Sequence, residues 1–236
     1  MGSIYLIRHG QASFGADDYD VLSPLGIRQA EILGRHLADL GIRFDRCLSG
    51  DLRRQQHTGQ GVIGQLREAG HSIPDIEVDS AFNEFEADEV IRAHLPDLLS
   101  LEPDALHILQ NAAHHRAEFQ RLFSLIISRW VSGEYEKDGL ESWQSFRARV
   151  EGGLARILAQ AEKKDRIAIF TSGGTITALL QSIIGVPAIK AFELNWQIVN
   201  TSLSLLKFRG NEVTLASFNS HVHLELLKAP ELITFR

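Results

Sequence analysis

Cysteine is nearly absent from this chain. Cys47 is its one thiol, which excludes an internal disulfide and a cysteine-cluster metal site and fits a reducing compartment. Also missing is any apolar run approaching the ~18 residues that span a bilayer. The first residues lead straight into Ile4-Tyr5-Leu6-Ile7. No basic stretch precedes that segment and no A-x-A site follows it, so it reads as a buried strand rather than a secretion signal. Surplus positive charge is lacking as well: 24 Lys and Arg stand against 30 Asp and Glu, a net charge of −6. That argues against a general nucleic-acid binder but leaves room for a local basic pocket. Together these absences lead us to expect a cytoplasmic protein without membrane or nucleic-acid partners. What is present is a chain of 236 residues, 44% hydrophobic. That length buries roughly 70% of the unfolded surface without covalent staples.

Apolar periodicity gives an alternation of strands and helices. Ser3–Ile7 reads as a strand that stops at Arg8-His9-Gly10. Ser23-Pro24 opens a helix with Ser as N-cap and Pro in the first turn. Its apolar stripe is Leu25, Gln29, Ile32, Leu33, His36, Leu37 and Leu40, and Gly41 ends it. Phe44–Leu48 suits a second strand. Ser49-Gly50-Asp51 then caps a helix running towards Leu66, where Gly59, Gly61 and Gly64 weaken the helical signal. Ile76–Val78 is a third strand. Residues 87–140 carry helical spacing with no strand and read as a helical insertion. Glu141–Ala161 is an amphipathic helix, Arg166–Thr171 an apolar strand, and Ile176–Ile184 a helix closed by Gly185. Ile198–Phe208 and Glu212–Ser217 flank Arg209-Gly210-Asn211 as a hairpin. The expected fold is α/β: one domain over 1–236, a three-layer sandwich around a mostly parallel sheet, with the insertion as a lid.

The chemistry-bearing residues gather at strand ends, where such sheets bind ligands. Arg8-His9-Gly10 places an imidazole and a guanidinium directly after the first strand, with glycine to let the backbone turn. Leu22-Ser23-Pro24-Leu25-Gly26-Ile27-Arg28-Gln29-Ala30 follows. Next come Ser49-Gly50-Asp51-Leu52-Arg53-Arg54-Gln55-Gln56-His57-Thr58, then Phe82-Asn83-Glu84, then Phe170-Thr171-Ser172-Gly173-Gly174-Thr175-Ile176. In this order and spacing the sequence resembles the histidine phosphatase superfamily, the phosphoglycerate mutase-like fold, over the whole chain except the insertion.

The resemblance implies roles. His9 sits at the nucleophile that becomes phosphorylated, and Arg8 at the first phosphate-binding arginine. Arg54 matches the second such arginine, with Arg53 beside it as a solvated neighbour. Glu84 matches the acid that protonates the leaving group, with Glu86 as an alternative. At Ser172 the family usually has a second histidine, so a neutral hydroxyl stands in the phosphate pocket instead of a cationic donor. Losing one such donor costs roughly 10²–10³ in rate. The open N–H groups of the following helix, or His114, His115, Arg116, His221 or His223, are candidates to compensate.

The expected activity is hydrolysis of a small phosphomonoester through phospho-His9. Two alternatives stay open: an impaired pseudoenzyme that binds a phosphorylated ligand or protein partner, and a mutase. Gln11–Asp20 lacks the Trp, Asn and Phe-x-Gly-Trp elements of the mutases, which favours hydrolysis. Asp17-Asp18-Tyr19-Asp20 reads as a surface loop. Trp130 and Trp143 fit core better than substrate contacts. No metal or other cofactor is assigned: His221-x-His223, expected on one strand face, has no third ligand. The apolar stretch Val199–Leu206 is a candidate pairing edge for a homodimer.

Overall fold

A computed structural model describes residues 1–13, 20–100, 102–111 and 114–235, with the Arg116 side chain left aside. Six strands form one sheet. They are β1 (Gly2–Arg8), β2 (Arg46–Ser49), β3 (Ile76–Val78), β4 (Arg166–Thr171), β5 (Leu203–Arg209) and β6 (Glu212–Ser220), in the order β3-β2-β4-β1-β5-β6. The first four run parallel, and β5 and β6 add an antiparallel hairpin beside β1. The stretch expected to offer a pairing edge is therefore interior. β5 is hydrogen-bonded on both sides, and the sheet's edges are β3 and β6.

Alternation along the strands builds two cores. Ile4, Leu6, Leu48, Ile167 and Ile169 face one side, and Ile7, Cys47, Ala168 and Phe170 the other. Helices α1 (Pro24–Asp39) and α2 (Arg53–Glu68) cover the second face. The first face is covered by α3 (Ala87–Leu99), α4 (Ala105–Gln110), α5 (Arg116–Ser132), α6 (Trp143–Gln160), α7 (Gly173–Ile184) and α8 (Ala188–Asn195). The three-layer sandwich follows from that division. A last helical turn, α9 (Val222–Glu225), packs against α1. Among the described residues no helix is long and apolar enough to cross a membrane.

Local chemistry explains most boundaries. Ser23 Oγ accepts from Gly26 N at 3.1 Å and caps α1, with Pro24 in the first turn. Gly41 follows that helix at φ +65°; Leu40, expected in the stripe, is instead 60% exposed. Gly59 fits the interior of α2, where a Cβ would lie 2.7 Å from Ile76 Cδ1, so the glycine-rich sequence still makes an unbroken helix.

Three further expectations need correction. α2 is not capped by Ser49 or Asp51: its N-cap is Leu52, which has no side-chain bond. The carboxylate of Asp20 accepts from Arg53 N at 2.9 Å instead. The second correction lies before β5, where residues 198–202 are not strand. α8 ends at Asn195, and Thr201, at φ +60°, breaks the extended run. Lastly, His221 and His223 do not share a strand face, because β6 ends at Ser220 and His223 lies in α9.

The described residues of the insertion include α3, α4 and α5. They join the main body through an aromatic cluster. Phe85 lies 4.6 Å from Trp130 of α5, 5.7 Å from Phe146 of α6 and 6.1 Å from Phe192 of α8, centroid to centroid. Trp130 and Trp143 are both buried, as core residues should be. Each indole N–H is satisfied, by Glu141 O at 2.8 Å and Gln181 Oε1 at 2.9 Å.

Candidate active site

The ends of the four parallel strands are level: Arg8 pairs with Thr171, and Ser49 with both Phe170 and Val78. That register gathers four segments distant in sequence. β1 delivers His9, β4 delivers Ser172, β2 leads into Arg54 on the first turn of α2, and β3 leads through a 3₁₀ turn at Ser80–Phe82 to Glu84.

His9 is 4% exposed and held on every side. Its N–H donates to Thr171 O at 2.8 Å. Its carbonyl accepts from Asn200 Nδ2 at 2.9 Å. Ring Nδ1 lies 2.7 Å from Gly10 O. A carbonyl only accepts, so Nδ1 carries the proton and Nε2 keeps the lone pair. Burial, then the charges of Arg54 and Arg8, hold the His9 pKa well below its ordinary value. The imidazole is neutral and nucleophilic at neutral pH. Gly10 is not at positive φ. Its need is for close approach: a Cβ would sit 2.5 Å from Gly26 O, on the first turn of α1.

Arg54 is 8% exposed, and its Nη1 meets Asp20 Oδ1 at 2.7 Å. Asp20 thus caps α2 and fixes the guanidinium with one carboxylate. Sequence reasoning missed this residue as a site component; Asp17, Asp18 and Tyr19, the rest of the expected loop, lie outside the described residues. Arg53 is exposed, consistent with a solvated neighbour. Arg8 Nη1 donates to Ile198 O.

Glu84 Oε2 accepts from Gly174 N, on the first turn of α7, at 3.0 Å, and Oε1 from Phe85 N at 3.2 Å. Burial dominates over these bonds and the two arginines and raises its pKa above the ordinary carboxylate value. Glu86 is exposed and less suited to that task. The loop before Glu84 is fixed by polar contacts: Phe82 O accepts from Thr171 Oγ1 at 2.7 Å and Gln55 Nε2 at 3.1 Å.

Ser172 is fully buried and opens α7. Among the described residues, none of the histidines considered as substitutes hydrogen-bonds to Ser172. His114 is exposed, and the His115 ring stands 5.6 Å from that of His107. His221 faces Glu225 at 3.3 Å. The Arg116 side chain lies outside the described residues. His223 packs behind the site, 3.1 Å from Thr201 Oγ1, and the Thr201 N–H in turn reaches Arg8 O at 3.1 Å. Burial lowers the His223 pKa from 6.5 to about 3.

A depressed base has a signed consequence for stability. Below pH 6.5 the unfolded chain binds a proton at His223 that the folded one refuses, so stability falls until about pH 3. At about pH 5 the loss from this residue is about 2 kcal/mol. His223→Gln should flatten the change in urea-unfolding free energy between neutral pH and pH ~5 by that amount; an unchanged slope would remove His223 from the account.

Comparison with known proteins agrees with this architecture. The family model of the histidine phosphatase superfamily (branch 1) matches residues 4–221. The adenosylcobalamin/alpha-ribazole phosphatase of Escherichia coli is 26% identical over 191 residues, covering 78% of this chain and 80% of that protein. Phosphoserine phosphatase from Entamoeba histolytica, solved with 3-phosphoglyceric acid, superposes with a TM-score of 0.63 at 20% identity, covering 95% of this chain and 100% of that one. A phosphoglycerate mutase from Bacillus anthracis gives 0.63 at 18% identity, covering 97% of each. At those identities the two structures speak for the fold, and with the family match over nearly the whole length they leave one assignment: the chain belongs to the histidine phosphatase superfamily.

Proposed function

We propose that this protein hydrolyses small phosphomonoesters through a phosphohistidine at His9. The observation that carries the reading is the state of that imidazole: buried, neutral, its Nδ1 proton committed to Gly10 O and two guanidinium groups close enough to depress its pKa. In the first step Nε2 attacks phosphorus and the ester P–O bond breaks. Arg8 and Arg54 hold the equatorial oxygens as charge spreads over them, and Ser172 contributes a hydroxyl. Glu84, whose pKa burial raises, gives its proton to the departing alkoxide. In the second step water attacks the phosphohistidine, the Glu84 carboxylate takes the water proton, and inorganic phosphate leaves. The scheme draws all its groups from the chain. As a lid, the insertion would shape which alcohol enters. A small phosphorylated substrate is in line with the relatives, one named adenosylcobalamin/alpha-ribazole phosphatase and the other phosphoserine phosphatase.

The test is turnover of an aryl phosphate and a panel of alkyl phosphomonoesters, together with trapping of an acid-labile phosphoprotein. Hydrolysis without a phosphorylated His9 would overturn the mechanism. No turnover, with phosphate still bound, would favour the pseudoenzyme.

The two shifted groups also set a pH profile. The free protein is active with His9 neutral and Glu84 protonated. The acid limb of kcat/KM therefore falls below the ordinary histidine pKa, and the alkaline limb above the ordinary carboxylate pKa. We expect a bell-shaped profile for an alkyl phosphate, and loss of the alkaline limb in Glu84→Gln. An alkaline limb that persists in the variant would assign it to another group.

A further inference from the structure

Serine at the start of a helix ordinarily turns its oxygen back onto the first-turn amides. Ser172 opens α7 and makes no such bond. Its Oγ instead accepts from Gln55 Nε2 at 2.8 Å. Gln55 follows Arg54 on α2 and, like Ser172, is completely buried. Its second amide hydrogen goes to Phe82 O at 3.1 Å, which fixes the orientation of the amide, because the reverse would set oxygen against oxygen.

Two features of this pair are unsatisfied. Among the described residues none accepts the Ser172 hydroxyl hydrogen and none hydrogen-bonds to Gln55 Oε1. Buried polar groups left this way are rare and call for a reason. Gln55 Oε1 also presses on the chain after β2: a Cβ at residue 50 would lie 2.0 Å from it and 2.7 Å from Asn83 Oδ1, so a larger residue there must push these side chains aside. Gly50, Gln55 and Ser172 are interlocked. Ser172 itself sits one residue beyond Thr171, whose carbonyl takes the His9 N–H.

We propose that Gln55 is a positioning residue of the phosphate pocket: its amide occupies a lone pair of Ser172 Oγ and so aims the serine hydroxyl hydrogen at a phosphoryl oxygen. The inference rests on the phosphomonoesterase reading and adds to it a neutral donor relay. An amide donating to a hydroxyl strengthens the bond that the hydroxyl donates onward. Such a donor acts mainly on the charge that grows in the transition state.

The experiment compares the full-length protein with Gln55→Met, Ser172→Ala and the double variant, reading aryl phosphate turnover and orthovanadate affinity. Methionine keeps the length of Gln55 and removes its donors. Ser172→Ala should lower kcat about a hundredfold with little change in KM, and Gln55→Met about tenfold. The double variant should be no worse than Ser172→Ala, since Gln55 acts through that hydroxyl. Gly50→Ser should lose activity alone and, combined with Gln55→Ala, regain it up to the level of Gln55→Ala itself, a test of where the amide lies that does not depend on Gln55→Met folding.

Losses that multiply in the double variant would overturn the inference, as would a Ser172→Ala protein with unchanged kcat and vanadate affinity. If the wild type turns over and the variants match it, the inference alone falls. If the wild type binds vanadate without turnover, the hydrolase reading falls, and the same non-additive pattern in affinity decides the relay. If it does neither, both fall.

Discussion

His9→Ala should abolish phosphomonoester turnover, a loss of at least ~10⁴-fold in kcat, because without the nucleophile the covalent route disappears and the remaining groups supply only binding and electrostatics. The geometry makes this a clean substitution. The His9 backbone is held independently of its ring, through Thr171 O, Asn200 Nδ2 and the strand pair β1–β4. The variant should therefore keep its fold and its two arginines. Removing a buried ring from between those cations leaves space and positive potential, so vanadate or phosphate affinity should be retained or rise while turnover vanishes. Stopped-flow or radiolabel trapping would show phosphoprotein in the wild type and none in the variant. Residual activity within tenfold of wild type would mean that another group attacks phosphorus.

Glu84→Gln should separate substrates by leaving group. An aryloxide departs without help, so kcat/KM, which reports the steps up to its departure, should fall less than about tenfold on an aryl phosphate, while kcat falls on every substrate because the second step loses its base. An alkoxide needs its proton, and on an alkyl phosphate the loss should reach ~10²–10⁴. The amide keeps the shape of the carboxyl, but its NH₂ cannot accept the bond that Gly174 N–H now gives to Oε2. The side chain can turn its oxygen there instead, which keeps the Gly174 bond, gives up the longer one from Phe85 N to Oε1, and removes the acid. Steady-state kinetics across a series of leaving groups would show a steep dependence on leaving-group pKa in the variant and a shallow one in the wild type. Equal slopes would remove Glu84 from proton transfer.

Much of this was legible before any coordinates, and the unevenness has physical causes. β4 at Arg166–Thr171 and β3 at Ile76–Val78 fall where the sequence places them. For β4, an unbroken apolar run that ends in Ser-Gly-Gly has few other solutions. The N-terminus of α1 was readable because Ser23 and Pro24 act locally. α8 was not: it is eight residues long, starts right after Pro187, and buries only Ala191 and Phe192. The cap of α2 was hidden for a different reason. Its carboxylate arrives from Asp20, far from Arg53 in sequence, and no local pattern encodes a partner supplied by another loop. The site shows the same division. His9, Arg8, Arg54 and Glu84 could be picked out as an ordered set of motifs, whereas Gln55 reads as one more polar helix residue until β4 brings Ser172 beside it.

Phe85 adjoins the proposed acid, and its ring is wedged between α5 of the insertion and α6 and α8 of the main body. On the proposed mechanism, selectivity and proton delivery are in consequence mechanically geared. A descendant of this chain that re-tilts α5 to admit a bulkier alcohol drags the same ring, and with it the carboxyl that must reach that alcohol's oxygen. Broadening the substrate range and holding the rate are thus a single packing problem, solved at Trp130 and Phe85 together or not at all.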